Sequence, residues 1–147
     1  MLKFRIKEFS ALTLDELHDL LLLRSEVFVV EQDCVYQDVD GKDKKAMHVL
    51  GYKEDELVAY TRIFKAGDYF EKASFGRVVV KESARKYGYG HDLLEQTLHV
   101  MEKHFGKEAI KISAQTYLRK FYKAHGFEQT GSEYLEDGIP HIAMLRP

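Results

Sequence analysis

The sequence predicts an α/β or α+β protein, a mixed sheet of about six or seven strands flanked by about four helices. Three observations lead there. Segments with period-two alternation occur at the start, middle and end of the chain. Two apolar patterns, from Leu14 to Phe28 and from Leu93 to Phe105, recur at helical spacing. Between Ser74 and Phe105 a β-branched run, a basic glycine loop and an amphipathic helix follow one another directly.

Leu2 to Phe9 places Leu2, Phe4 and Ile6 on one face and Lys3, Arg5 and Lys7 on the other, the pattern of a half-buried or edge strand. Thr13 followed three residues later by Glu16 forms a capping box, so a helix starts at Leu14. Its periodicity ends near Phe28, although Val27-Phe28-Val29-Val30 also has strand character. Glu31 to Lys45 is polar, contains the turn Asp40-Gly41 and reads as a long loop; long ordered loops in small proteins often carry function. His48–Tyr52 and Leu57–Phe64 flank a charged tetrapeptide and predict a hairpin. Ser74–Lys81 is the next strand, Arg85–Gly90 a loop, and Asp92–Phe105 a helix stopped by Gly106. Ala109–Gln115 alternates as a strand. Leu118–His125 is a short helix closed by Gly126, and Phe127–Leu135 and Ile139–Leu145 are two final strands joined around Asp137-Gly138.

The 147 residues suggest a single domain spanning 1–147. Twenty-two basic and 24 acidic residues give a formal charge of −2, which argues against a general basic field for nucleic acid. No apolar run reaches the roughly 18 residues that a membrane-spanning helix needs, and the first residues lack the apolar core of a signal peptide. The lone Cys34 cannot form an internal disulfide, which fits a reducing cytoplasm. No Cys/His cluster has metal-ligand spacing, so no metal is expected. A final hairpin with apolar residues makes a homodimer an expectation.

The stretch Arg85-Lys86-Tyr87-Gly88-Tyr89-Gly90 suits an anionic ligand, because close-packed backbone N–H groups and a helix N-terminus direct positive partial charge at one place. It is not a Walker loop, since Gly-Lys-Ser/Thr is absent. It is not a dinucleotide fingerprint either, because Leu93 stands where a third glycine is required.

Arg85-x-x-Gly88-x-Gly90 after a β-branched strand resembles the acetyl-CoA pyrophosphate loop of the GNAT N-acetyltransferase superfamily. Downstream, Phe121-Tyr122-Lys123-Ala124-His125-Gly126-Phe127 resembles that family's F-Y-x-x-x-G-F motif. Leu23 to Gln32, with Tyr36 and Asp40-Gly41-x-Asp43, is similar to the ElaA-like branch, with Val35 in place of the usual proline after the cysteine.

The resemblance implies a GNAT fold and a direct transfer of acetyl from acetyl-CoA to a small-molecule or peptide amine. It implies that the pantetheine arm pairs with Val78, Val79 and Val80, that the pyrophosphate accepts N–H bonds from Arg85, Lys86, Tyr87, Gly88, Tyr89 and Gly90, and that an N–H near Val79 polarises the thioester. Tyr122 is the expected acid at the CoA sulfur. His141 and Glu82 are candidate bases, and His48 is a further candidate. Arg24, Arg77 and Gln115 are candidate acceptor-side residues; an Arg77 facing the cleft would hold a substrate carboxylate. Cys34 is expected to line the acceptor side or to pack, not to act as a nucleophile. Two rival readings remain: a catalytically silent CoA-binding module, and a protein-interaction module that uses the Glu31–Lys45 loop.

Overall fold

In the computed structural model, which describes residues 1–147, the chain begins as strand β1 (Lys3–Glu8), at the edge of a sheet of order β1-β2-β3-β4. Its partners are β2 (Met47–Lys53), β3 (Glu56–Phe64) and β4 (Ser74–Val80), all antiparallel. A second antiparallel sheet has the order β5-β7-β6, from β5 (Ile110–Gln115), β6 (Glu128–Glu136) and β7 (Ile139–Arg146). The two sheets meet at one parallel bridge, Ala73 to Ile110, where the Lys111 amide donates to the Ala73 carbonyl at 2.9 Å. Beyond it β4 and β5 share no backbone pairing. The seven expected strands are therefore present, and the mixed character of the assembly rests on that one bridge.

Helix α1 (Leu14–Arg24) starts at the capping box: Thr13 Oγ1 accepts from the Glu16 amide at 3.0 Å, and Glu16 Oε1 accepts from the Thr13 amide at 2.9 Å. Glu16 also receives Lys7 Nζ at 2.7 Å and Arg5 Nη1 at 3.2 Å, so one local signal pins the helix to β1. Burial alone would raise the Glu16 pKa, but the bonds from Lys7, the Thr13 backbone and Arg5 outweigh it and hold it at about 2. A depressed folded pKa stabilises the fold above the ordinary carboxylate value of 4.5 and loses that contribution as pH falls toward about 2. Acid unfolding followed by circular dichroism should therefore be less steep in Glu16→Gln over that window than in the parent.

The helix does not stop near Phe28. It continues as a π-helical segment, Ser25–Glu31, with amides bonding five residues back: Gln32 to Val27 at 3.1 Å and Cys34 to Val29 at 3.1 Å. This segment delivers Phe28, Glu31 and Gln32 to the cleft between the sheets.

Helix α2 runs from Tyr89 to Phe105, three residues earlier than the periodicity implied, and α3 from Arg119 to Lys123. Residues Glu82–Tyr87 form a 3-10 helix, which takes in the first half of the expected Arg85–Gly90 loop. Gly88, with φ of 72°, ends it and opens α2, a left-handed position that favours glycine.

The core has two parts. Leu20, Leu23, Val27, Tyr60 and Val79 pack between α1 and one sheet face. Leu93, Leu94, Met101, Phe75, Ile112 and Phe127 pack between α2, the other face and the second sheet. Each large side chain so buried contributes about 1.5–3 kcal/mol.

Candidate active site

Strand β4 contains the irregularity that shapes the site. Its register with β3 passes from Gly76–Arg62 to Val79–Tyr60, so Arg77 and Val78 oppose Thr61 alone. Arg77 takes φ of 52°, the left-handed conformation of a bulge residue. The extra residue shifts the side-chain phase: Phe75, Val78 and Val80 pack on the α2 side and Val79 on the α1 side. The Lys81 amide donates to the Val58 carbonyl at 2.7 Å, so the Val79 pair is a hydrogen-bonded pair and the Val80 pair is not. The N–H directed at the cleft therefore belongs to Val80, not Val79.

The separation of β4 from β5 opens a cavity of about 520 Å³, within the usual range for ligand sites. Val78, Val79 and Val80 line it, as do Arg85, Gly88 and Gly90. The N-terminus of α2, with its unsatisfied N–H groups, lies at the same end. A Cβ on Gly90 would come within 3.6 Å of the Phe121 ring, and one on Gly88 would meet nothing. Gly88 thus serves backbone conformation, whereas a side chain at Gly90 would only make ordinary contact with Phe121.

Arg85 lines the cavity, but its guanidinium pairs with Glu31 at 2.6 Å and donates from Nε to the Val80 carbonyl at 3.0 Å. It closes the end of β4 as well as supplying charge. Lys86 and Tyr87 are exposed and do not line the cavity, and the Tyr89 ring is buried in the core. Tyr89 can therefore meet an anion only through its backbone.

Tyr122 is 4% exposed and lines the cavity, beside Phe75, Phe121 and Phe127. Burial pushes its phenol pKa well above the ordinary value, and the nearby Tyr117 adds to this, so the proton is held at neutral pH.

His141 is buried on β7, opposite Gln115 of β5, and both line the cavity. Its Nδ1 lies 2.7 Å from the Ile139 carbonyl oxygen. A carbonyl only accepts, so Nδ1 carries the hydrogen and the neutral ring keeps its lone pair on Nε2. Glu136 Oε2 stands 3.4 Å from that nitrogen, placed to stabilise the ring once it is protonated. Gln115 exchanges hydrogen bonds with Gln32 at 3.3 and 3.4 Å, across the gap between the two halves. Cys34 lines the cavity and its Sγ donates to the Asp137 carbonyl at 3.3 Å.

Three expectations are corrected. Glu82 is exposed at the start of the 3-10 helix and does not line the cavity. Arg24 is fully buried away from it, bonded to Asp38 at 2.9 Å and Asp43 at 2.8 Å. His48 is also fully buried: its Nε2 donates to the Asp43 carbonyl at 2.9 Å and its Nδ1 accepts from Tyr60 Oη at 2.6 Å. Burial lowers the His48 pKa, so it is a neutral core residue. Arg77 does line the cavity, but its guanidinium is occupied by Asp38 at 2.8 Å and Asp40 at 3.4 Å.

Residue-type reasoning missed Gln32, Glu136 and His91. His91 follows Gly90 directly, and its Nδ1 lies 2.9 Å from His125 Nε2. Adjacency to the glycine loop was its only signal. Glu136 had none, because its role depends on a strand pairing.

A split sheet with a helix N-terminus at the split, and a buried tyrosine beside it, is the arrangement of an N-acyltransferase of the GNAT type. The chain belongs to that family: the family model for the acetyltransferase (GNAT) domain matches residues 12–146. It is 43% identical to protein ElaA of Escherichia coli K12 over 148 residues, covering 99% of this chain and 97% of ElaA. The crystal structure of Escherichia coli ElaA matches with a TM-score of 0.93 at 42% identity over the whole of both chains. A Pseudomonas aeruginosa structure described as an acyl-CoA N-acyltransferase matches with a TM-score of 0.93 at 40% identity over 99% of each chain. A UPF0039 protein of Schizosaccharomyces pombe is 41% identical over 97% of this chain and 95% of its own length. No helix is long and apolar enough to cross a membrane.

Proposed function

We propose that this chain is an acetyl-CoA-dependent N-acetyltransferase in which the amine attacks the acyl carbon directly within a ternary complex, and that residues 1–147 act as one catalytic domain. The observation that carries the reading is one continuous cavity. It runs from the α2 N-terminus along the unpaired β4 edge to His141, with Tyr122 on its wall.

The residues present fit acetyl-CoA. The β4 edge at Val78 and the outward N–H of Val80 suit an amide-bearing arm, and the Gly88–Gly90 turn with the helix terminus suits a pyrophosphate. Acetyl-CoA supplies an activated acyl group as a thioester. The Val80 N–H is the donor placed to stabilise negative charge on a carbonyl oxygen. Tyr122 Oη carries the proton for the departing sulfur, since a phenol is neutral at pH 7. His141 Nε2, with its lone pair free, takes the proton from the acceptor ammonium, and Glu136 stabilises the ring that results.

Free-thiol release from acetyl-CoA across an amine panel tests the reading. His141→Ala should lower kcat/KM by about 100-fold or more, while affinity for acetyl-CoA stays unchanged. Wild-type-like turnover in that variant would move the base elsewhere. No thiol release across a broad panel, with acetyl-CoA still bound, would favour the silent CoA-binding module.

A further inference from the structure

The acceptor end of the cavity has a charge balance that selects among amines. Arg62 and Arg77 line it, and with Arg24 they set three guanidiniums against three carboxylates, Asp38, Asp40 and Asp43. Arg62 pairs with Asp40 at 2.7 Å and Asp43 at 2.9 Å, and the Arg24 and Arg77 pairs complete the set. The network cancels internally. Tyr36 Oη adds a hydrogen bond to Asp38 at 2.8 Å and occupies a further carboxylate site. The Nε atoms of Arg62 and Arg77 are buried donors without a hydrogen-bond partner; that of Arg77 is near Asp38 but out of line for one. Both are enclosed, so the network presents no spare positive charge to the cavity. Arg85, the other arginine on the cavity wall, is neutralised by Glu31.

A second part of the wall carries negative charge without a compensating lysine or arginine. Glu136 and Asp137 both line the cavity at the β6–β7 turn, and neither forms an ion pair with a lysine or arginine. Glu136 accepts from Ser113 at 3.1 Å and faces His141 at 3.4 Å. The Cys34–Asp137 contact sets this turn against the loop that carries Tyr36. Between the two walls the lining is aromatic, with Phe28, Tyr36, Tyr69 and Phe70.

From this balance we infer that the acceptor is a primary amine cation on an apolar or aromatic body without a free carboxylate. This rests on the acetyltransferase reading of the same cavity and replaces the expectation that Arg77, paired here with Asp38 and Asp40, holds a substrate carboxylate. An ammonium group meets unpaired carboxylates and aromatic faces here. A free amino acid would set its carboxylate against Glu136 and Asp137 with no cation left to receive it, and such like-charge contacts are strongly unfavourable.

Calorimetric titration of the CoA-free protein tests this directly with phenethylamine, phenylalaninamide and phenylalanine. The first two should bind at least about tenfold more tightly than phenylalanine, since a like-charge contact of one to two kilocalories already gives that ratio. Glu136→Gln should weaken the first two by about tenfold and narrow the gap. Asp40→Asn, which releases one unit of positive charge at the Arg62–Arg77 wall, should improve phenylalanine selectively. Equal or tighter binding of phenylalanine by the parent protein, or no binding of any of the three, overturns the inference. A separate titration of melting temperature with acetyl-CoA reads the acetyltransferase proposal itself. Its failure is distinct, because amine binding is measured without the nucleotide.

Discussion

Tyr122→Phe is expected to lower kcat by about 100-fold while leaving acetyl-CoA affinity within about twofold, the pattern of a lost proton donor and an intact binding surface. The substitution removes one oxygen from a ring that packs beside Phe75, Phe121 and Phe127, so shape and burial are retained. Burial raises the phenol pKa further above an ordinary value at which it is already protonated at neutral pH. Steady-state kinetics with calorimetric measurement of acetyl-CoA binding separate the two effects. Unchanged kcat would reject Tyr122 as the acid. An equal loss in kcat and in nucleotide affinity would make its role one of packing.

Asp43→Ala should be the most destabilising single change among the charged residues, costing about 3–5 kcal/mol in urea unfolding. Asp43 receives Arg24 at 2.8 Å and Arg62 at 2.9 Å, and both guanidiniums are almost completely buried. Burial would raise its pKa, but the bonds from both arginines outweigh this and hold it well below the usual carboxylate range. Removing it leaves two desolvated cations without a shared counter-charge. Glu31→Gln provides the contrast: its pair with Arg85 is partly exposed on both sides, and its loss should cost less than about 1 kcal/mol. Similar costs for the two variants would mean that the buried network does not hold the loop to the sheet.

The parts of the fold that sequence revealed are those set by near neighbours. The Thr13–Glu16 box, the β1 alternation and the hairpin around Lys53–Glu56 depend on residues a few positions apart. The glycine turn was legible for the same reason. Other features depend on partners distant in sequence. Arg24 looks like any helix-surface arginine until Asp38 and Asp43 fold over it. The bulge at Arg77–Val78 breaks an alternation that the sequence alone continues, which is why the cleft-facing amide shifted from Val79 to Val80. The π-helical segment was obscured because Val27 to Val30 carries β-branched residues that favour strands. Glu136 and His141 come together through the pairing of β6 with β7, which no local pattern encodes.

The gap between β4 and β5 is proposed to hold acetyl-CoA. Melting temperature measured against rising acetyl-CoA concentration tests it most directly. Specific binding predicts a rise that continues with the logarithm of concentration, reaching about 2.7 kcal/mol of stabilisation at a hundred times Kd. A melting temperature that does not move at millimolar acetyl-CoA would contradict the claim.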